Sequence, residues 1–195
     1  MILIDSPFAN TANIARALRT CGAALEVSRD PAAIADAEKL VLPGVGSFAA
    51  AMRWLEETGI DIAIRDAVDR GAFLLGICVG HQLLFESSTE HGSTRGLSLI
   101  SGNVELLNGP LSVPQIGWNR VTGSGALFDG IARDTAFYFV NSYAARASDA
   151  ETGVAEYNGR FTAAVQRDRI AGVQFHPEKS SRAGLRVLRN FVQWN

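Results

Sequence analysis

Cysteine and histidine are scarce in this chain, and its charge is almost balanced. Among its 195 residues are 2 cysteines and 3 histidines, and the formal net charge is −2. Two cysteines, Cys21 and Cys78, cannot form a disulfide framework, and no Cys-x-x-Cys pair or His/Cys cluster has metal-ligand spacing. A charge this close to zero gives no electrostatic basis for binding nucleic acid or an anionic membrane. We therefore expect no metal, no other cofactor and no nucleic-acid partner.

Long apolar runs are absent as well. The first residues, Met-Ile-Leu-Ile-Asp, include no basic segment and are too short for a signal peptide, and no apolar run approaches the roughly 20 residues that cross a membrane. With 47% hydrophobic and 19% charged residues, the composition is typical of a globular protein with one substantial core. The sequence predicts a single domain over residues 1–195, located in the cytosol and not at a membrane.

The order of predicted elements indicates an α/β protein. In the first half we predict strands at 2–4, 24–27, 39–42 and 72–75, and helices at 11–20, 49–57 and 61–70. After residue 97 the pattern changes to short strands at 104–107, 120–122, 136–140, 154–157, 161–165 and 170–176, with a hairpin turn at 158–159 and a last helix at 182–194. This predicts a mixed, mostly parallel central sheet flanked by helices, with antiparallel strands in the C-terminal half.

Cys78 lies where a strand, a tight turn and a helix are predicted to meet. The run 72–75 is apolar on both faces, as in a buried parallel strand, and a helical pattern opens at His81. Gly76 and Gly80 allow a sharp turn between them, which is the geometry of a nucleophile elbow. A thiol at the start of a helix faces free backbone N–H groups and the positive end of the helix dipole, and both favour the thiolate. An arbitrary cysteine is more often a small buried hydrophobic residue, but the flanking glycines favour the elbow.

A reactive cysteine needs a general base, and three histidines are available. His81 comes three residues after Cys78 on the predicted helix and is expected to point away from the turn. His91 lies in a polar loop and has no orienting partner nearby in the sequence. His176 ends a predicted strand and is the remaining candidate for the base.

His176 has a suitable partner two residues later. Pro177 favours an extended backbone, and residues i and i+2 of an extended chain lie on one face, so Glu178 is expected beside the imidazole, where it would fix the tautomer. Cys78, His176 and Glu178 would then form a triad of nucleophile, base and orienting group. A His-Pro-Glu segment on its own is more typical of a plain turn at the end of a strand.

Five short motifs carry a family resemblance. Segments 76–82 (GICVGHQ) and 175–178 (FHPE) resemble those of the class I (triad) glutamine amidotransferases. Segments 43–48 (PGVGSF), 116–119 (IGWN) and 176–180 (HPEKS) are similar to the glutaminase subunits of imidazole glycerol phosphate synthases. The resemblance implies a flavodoxin-like α/β fold and an enzyme that releases ammonia from the side-chain amide of glutamine, with Cys78, His176 and Glu178 as its catalytic residues.

The resemblance also implies roles for residues outside the triad. It implies backbone oxyanion donors at Val45, Gly46 and Val79, and substrate-binding residues at Gly44, Gln82, Glu90, Ser142 and Tyr143. The residues that match positions at the surface facing a synthase partner are Asn10, Asn13, Trp118 and Lys179.

Simpler interpretations of four of these features stay open. The PGVG segment alone is more often a strand-to-helix turn, and Asn10 is equally suited to capping a helix. Glu90 is also explained as a solvated loop carboxylate. Trp118 is explained about as well as a packing aromatic at the start of a strand.

The implied partner is a separate (β/α)8-barrel cyclase subunit, with which the chain would form a heterodimer. Ammonia would pass to that subunit, which forms imidazole glycerol phosphate and an aminoimidazole carboxamide ribonucleotide (AICAR) in histidine biosynthesis. Five residues depart from the usual family pattern: Pro7 and Ala9 each replace a glycine, His81 a methionine, and Gln115 and Asn141 each a histidine. Three alternatives therefore remain: a glutaminase serving another synthase, a cysteine hydrolase or peptidase that needs no partner, and a binding module without catalysis.

Overall fold

The computed structural model describes all residues, 1–195, and strands alternate with helices in the first half, as predicted. Its elements are β1 (Ile2–Ile4), α1 (Thr11–Thr20), β2 (Glu26–Ser28), α2 (Pro31–Ala35), β3 (Lys39–Gly44), α3 (Phe48–Thr58), α4 (Ile60–Asp69), β4 (Phe73–Cys78) and α5 (Val79–Gln82). The side chains of Asn10, Asp30 and Ser47 each accept a backbone N–H from the first turn of the helix that follows. These caps explain where α1, α2 and α3 begin.

The second half consists mainly of strands. They are β5 (Ser87–Ser88), β6 (Thr94–Arg95), β7 (Asn103–Leu106), β8 (Gln115–Gly123), β9 (Thr135–Asn141), β10 (Tyr143–Ala145), β11 (Glu151–Glu156), β12 (Arg160–Arg167) and β13 (Ile170–Val173), followed by α6 (Ser181–Gln193). Short 3₁₀ turns span Ala126–Phe128 and Pro177–Lys179. Asn158 and Gly159 both have positive φ, at 50° and 94°, between the antiparallel strands β11 and β12, so the predicted hairpin is confirmed.

A nine-stranded sheet forms the centre of the protein. The strand order is β2-β1-β3-β4-β13-β12-β11-β8-β9. The pairs from β2 to β13 are parallel, and those from β13 to β9 are antiparallel. The predicted mixed sheet is therefore confirmed, but it is not mostly parallel, because its parallel and antiparallel pairs are equal in number. A second sheet, of order β10-β7-β5-β6, was not predicted.

Helices cover the parallel part of the sheet. Helix α1 packs with α6, and α4 packs with α2 and α3. Because parallel strands are joined by right-handed crossovers, the strand order places α1, with α6 packed against it, on one face and α2, α3 and α4 on the opposite face. Burial on both faces explains the continuous apolar runs, such as Leu74 and Leu75 in β4, which are both fully buried. None of the helices is both long and apolar enough to cross a membrane.

Two predicted elements end earlier than expected. The helix expected to continue from His81 ends at Gln82, because the carbonyl groups of residues 83–85 accept N–H groups from the chain at 97–100 instead of continuing a helix. Strand β13 ends at Val173, not at residue 176. Beyond it the chain bonds first to β12 and then to β9, through Gln174 N to Ala163 O and His176 N to Tyr138 O. This change of partner brings His176 over the edge of the sheet.

Candidate active site

Cys78 lies in the predicted strand–turn–helix arrangement. It ends β4 with a positive φ of 55°, and α5 begins at the next residue. The glycines on either side of it are required by close packing: a Cβ at Gly80 would lie 1.9 Å from the Leu42 carbonyl oxygen, and one at Gly76 would lie 2.6 Å from the Gly80 carbonyl oxygen. Residues 76–80, which we call the elbow, therefore present Cys78 at the carboxyl ends of the parallel strands.

His176 and Glu178 form a buried pair. The imidazole Nδ1 lies 2.9 Å from the Glu178 Oε1, and the two side chains are 5% and 3% exposed. The expectation that an extended backbone brings them together was wrong, because Pro177 starts a 3₁₀ turn that ends at Lys179. This turn places the carboxylate beside the Nδ1 edge of the ring, where it fixes the tautomer with the proton on Nδ1 and leaves Nε2 for chemistry.

The environment of His176 favours the imidazolium form. Burial by itself would lower the pKa of His176. Hydrogen bonding to Cys78 and Glu178, together with the negative charges of a Cys78 thiolate and the Glu178 carboxylate, instead raises the pKa to about 10. A thiolate on Cys78 and a proton on His176 therefore stabilise each other. This is the charge distribution that an activated cysteine requires.

The other two histidines lie away from the thiol, as predicted. His81, on α5, is fully buried, edge-on to the Phe85 ring at 5.1 Å between centroids and packed against Gly172 of β13. Neither ring nitrogen of His81 has a hydrogen-bond partner, and burial lowers the pKa of His81 to about 3, offset only in part by the backbone near Thr162. His91 lies on an exposed loop.

A cavity of about 260 Å³ opens beside Cys78. Most of the residues predicted for the site line it, namely Val45, Gly46, Cys78, Val79, Gln82, Glu90, Ser142, Tyr143, His176 and Lys179. Gly44 lies behind the wall, where a Cβ would be 3.0 Å from the Val79 Cβ. The prediction missed Pro114 and Val140 as lining residues, and Asn141 was noted only as a departure from the family pattern. The cavity thus joins segments from six separate parts of the chain.

Segment 43–48, which contains the predicted oxyanion donors Val45 and Gly46, has one of these two donors already bonded within the protein. The Val45 N–H donates to the Phe8 carbonyl oxygen in the loop before α1, so it does not point into the cavity. Gly46 has a positive φ of 88°, which favours glycine there. Val79 is the first residue of α5, so its N–H has no partner within the helix and is close to the thiol.

Glu90 is tied to the same segment. Its Oε2 accepts the Phe48 N–H, at 2.7 Å, at the start of α3, while the residue also lines the cavity. It is half-buried, which excludes a freely solvated carboxylate. Its other oxygen is available to a ligand in the cavity.

Residues 141–143, which we call the strap, line the cavity at the point where β9 ends and β10 begins. The Tyr143 carbonyl accepts from Asn141 Nδ2 at 3.1 Å and from Gln82 Nε2 at 2.8 Å. Asn141 is paired across the sheet with Gln115, and both are buried, with the Asn141 Oδ1 and both amide atoms of Gln115 lacking partners. The strap is therefore joined through the side chain of Gln82 to α5, the helix that begins in the elbow.

Of the residues matched to a partner surface, Asn10, Asn13 and Trp118 lie outside the cavity, and Lys179 lines its edge. Asn10 caps α1 by accepting the Asn13 N–H at 3.2 Å, as the simpler interpretation proposed. Trp118 is 55% exposed and is not a core residue. It lies edge-on to Tyr138, 6.0 Å away, and the Lys179 Nζ lies 5.8 Å from the Tyr138 ring centre. Trp118, Tyr138 and Lys179 form an exposed surface, the aromatic ledge, which adjoins the cavity at Lys179.

Comparison with known proteins agrees with this geometry. Residues 2–194 match the family described as glutamine amidotransferase class-I. A relative from Moorella thermoacetica, described as imidazole glycerol phosphate synthase subunit HisH, is 47% identical over 193 residues, covering 97% of this chain and 92% of the relative. A relative from Herpetosiphon aurantiacus with the same description is 49% identical over 187 residues, covering 94% of this chain and 89% of the relative.

A solved structure described as a glutamine amidotransferase has the same fold. It is 18% identical in sequence, with a TM-score of 0.76 that covers 97% of this chain and 96% of the other. At that identity the likeness concerns the fold alone. The family match extends over nearly every residue, however, and includes both the elbow and the His176–Glu178 pair. This chain belongs to the class-I glutamine amidotransferase family.

Proposed function

We propose that this protein is the glutaminase subunit of an imidazole glycerol phosphate synthase. The observation that carries the proposal is the buried His176–Glu178 pair, 2.9 Å apart, facing a cysteine on an elbow in one cavity. Relatives described as subunit HisH are 47% and 49% identical over nearly their whole length, which supports the choice of synthase. We further propose the cytoplasm as its location.

The chemistry proposed for the cavity is acyl transfer. The Cys78 thiolate attacks the side-chain amide carbon of glutamine, and the His176 imidazolium gives its proton to the departing nitrogen, so that ammonia leaves and a thioester remains. His176 then takes a proton from water, whose oxygen attacks the thioester carbon. Glutamate leaves, and the proton on His176 restores the starting imidazolium–thiolate pair. Glu178 holds the ring in one tautomer throughout.

Backbone N–H groups would stabilise the tetrahedral intermediates. Val79 is in place at the start of α5, and Gly46 lines the same wall. Val45 can contribute only if its bond to Phe8 breaks and the peptide turns toward the cavity. The described arrangement therefore corresponds to a site with one oxyanion donor withheld.

The remaining cavity residues would orient glutamine. The free oxygen of Glu90 suits the α-amino group, and the N–H groups of Ser142 and Tyr143 on the strap suit the α-carboxylate. Gln82 uses both hydrogens of Nε2 within the protein, so only its Oε1 is available, as an acceptor. Gly44 lets the end of β3 approach the elbow.

The aromatic ledge and the residues around it would bind the cyclase subunit, proposed to be a (β/α)8 barrel. Ile116 and Trp118 are 65% and 55% exposed on β8, and apolar side chains exposed side by side are typical of interfaces. Lys179 joins this surface to the cavity, so a partner docked there would cover the route by which ammonia leaves. Asn10 and Asn13, at the start of α1, would extend the contact.

The test is glutamate release by the purified chain, alone and with a cyclase barrel and its nucleotide ligand. We expect slow release by the chain alone and an increase of at least about tenfold with the loaded barrel, because docking would couple the partner to the cavity. Trp118→Ala should raise the barrel concentration for half-maximal activation about tenfold. Ile62→Ala, at a 60% exposed residue on α4, is the matched control and should leave it unchanged. Release that is indifferent to the barrel would disprove the proposed pathway but not the triad.

Glu178→Gln should lower kcat for glutamine about 100-fold with KM nearly unchanged, because it removes the charge that holds the His176 imidazolium without altering the walls of the cavity. Steady-state kinetics over a range of pH would check this. The matched control is Glu56→Gln, at an exposed position of α3, which should behave like the parent. An unchanged kcat in Glu178→Gln would exclude Glu178 as the orienting group.

A further inference from the structure

A row of buried amides connects the strap to the nucleophile. Gln174, which follows β13 and is fully buried, places its Nε2 3.9 Å from the Cys78 Sγ. Its Oε1 accepts from Gln82 Nε2 at 3.0 Å, and the same Gln82 nitrogen donates to the Tyr143 carbonyl at 2.8 Å. We call this series, from Tyr143 through Gln82 and Gln174 to Cys78, the amide chain.

The direction of the hydrogen bonds in the amide chain is fixed at one end. A backbone carbonyl can only accept, so Tyr143 requires the nitrogen of Gln82 to face it. That nitrogen must then meet an acceptor on Gln174, which turns the Gln174 Oε1 toward Gln82 and its Nε2 toward the sulfur. Gln174 therefore presents a donor, and never an acceptor, to Cys78.

We propose that Gln174 is a positioning residue that stabilises the Cys78 thiolate by donating a hydrogen bond to the sulfur. The neutral thiol has another contact, to the Val140 carbonyl oxygen at 3.8 Å, which only a protonated sulfur can donate to. Ionisation removes that contact and strengthens the one from Gln174, since hydrogen bonds to charged acceptors are shorter and stronger. Because Cys78 is only 3% exposed, little water is available to replace this donor.

This role rests on the proposed function for its catalytic meaning, but its test needs no glutamine. The rate of Cys78 alkylation by iodoacetamide is measured against pH in a Cys21→Ala background, so that only one thiol remains. Gln174→Met removes the donor at similar volume, and Gln174→Glu replaces it by an acceptor. We expect the pH midpoint of alkylation to rise by about one unit in the first variant and by more in the second.

The controls isolate Gln174. The titratable groups that line the cavity with Cys78 are Glu90, Tyr143, His176 and Lys179, and all four are kept in every variant. Gln166→Met, on β12, removes a glutamine whose side-chain oxygen is buried but which lies outside the amide chain, and the alkylation midpoint of this variant should equal that of the background. In glutamine hydrolysis we expect about tenfold lower kcat for Gln174→Met with KM within about twofold.

A purely structural role predicts a different result. It would lower the unfolding midpoint of both Gln174 variants and leave the alkylation midpoint where it was, which would overturn the proposal. If the variants do not fold, the parent still provides a test: the side-chain ¹⁵N–¹H resonances of Gln174 should shift with the same pH midpoint as alkylation, and not in Cys78→Ala. Absence of that shift would also overturn it. If the alkylation midpoints shift as expected but the parent does not hydrolyse glutamine, the role of Gln174 would be upheld and the proposed glutaminase function would be rejected.

Discussion

Cys78→Ala is expected to abolish glutamine hydrolysis, with a loss of at least about 10⁴-fold in kcat, because no other group in the cavity can form the thioester. Ammonia-dependent synthesis by the complex should be retained, since the proposed reaction on the partner uses ammonia however it is supplied. The measurement is glutamate release beside product formation with glutamine or with ammonium salt as nitrogen donor. The variant should bind glutamine and unfold as the parent does.

Cys21→Ala is the matched control for this experiment. Cys21 is also buried, and burial raises the pKa of its thiol, but it donates to the Leu185 carbonyl at 3.3 Å at the contact between α1 and α6, away from the cavity. Its removal should cost about 1 kcal/mol of stability and leave turnover unchanged. Residual turnover in Cys78→Ala comparable to the Cys21→Ala value would reject covalent catalysis at the elbow.

His81→Met is expected to make the protein more resistant to acid. The folded protein holds His81 neutral down to a pKa of about 3, whereas the unfolded chain protonates it at the ordinary 6.5. Protons therefore bind preferentially to the unfolded state, and stability is lost as the pH falls from 6.5 toward 3. At about 1.4 kcal/mol per pH unit, two units below 6.5 amount to about 3 kcal/mol at pH 4.5. Methionine cannot bind a proton and adapts to irregular space in the core.

Urea unfolding of parent and variant at pH 7 and pH 4.5 would measure this effect. The difference in unfolding free energy between the two proteins should change by about 3 kcal/mol in favour of the variant, because every other group is common to both and cancels. His91→Met, on the exposed loop, should show no such change. An equal acid sensitivity of parent and His81→Met would mean that the buried ring takes up a proton in the folded state.

Long periodic elements could be predicted from the sequence, whereas several of the shortest could not. Helices α1, α3, α4 and α6 were predicted within two residues of their observed ends. Strands β5, β6 and β10 have only two or three residues, too few to show an apolar period, and α2 has only five. Strand β8 begins five residues before the predicted start at 120, because its first half carries exposed apolar residues, Ile116 and Trp118, in place of the usual alternation. Whether an apolar residue of a strand is exposed depends on which other segments pack against it, and the local sequence pattern does not show this.

The candidate site divides in the same way. The elbow and the His176–Glu178 pair could be predicted because each is built from neighbours in the chain, where steric limits on glycine and the reach of a carboxylate two residues away operate locally. The backbone between His176 and Glu178 was nevertheless the start of a 3₁₀ turn and not an extended segment. Gln174 was not singled out, since a glutamine at the end of an apolar strand has no distinctive spacing of its own.

By itself, the sequence determined which residue is the nucleophile candidate, which histidine can serve it and which family's motifs the chain carries. Only the tertiary structure decided that Val45 donates to Phe8, that His81 is buried without a partner, and that Gln174 points a donor at a sulfur 96 residues away in the chain. The physical reason is range. Backbone sterics act between adjacent residues, whereas burial and the direction of a hydrogen bond depend on which distant segments pack together.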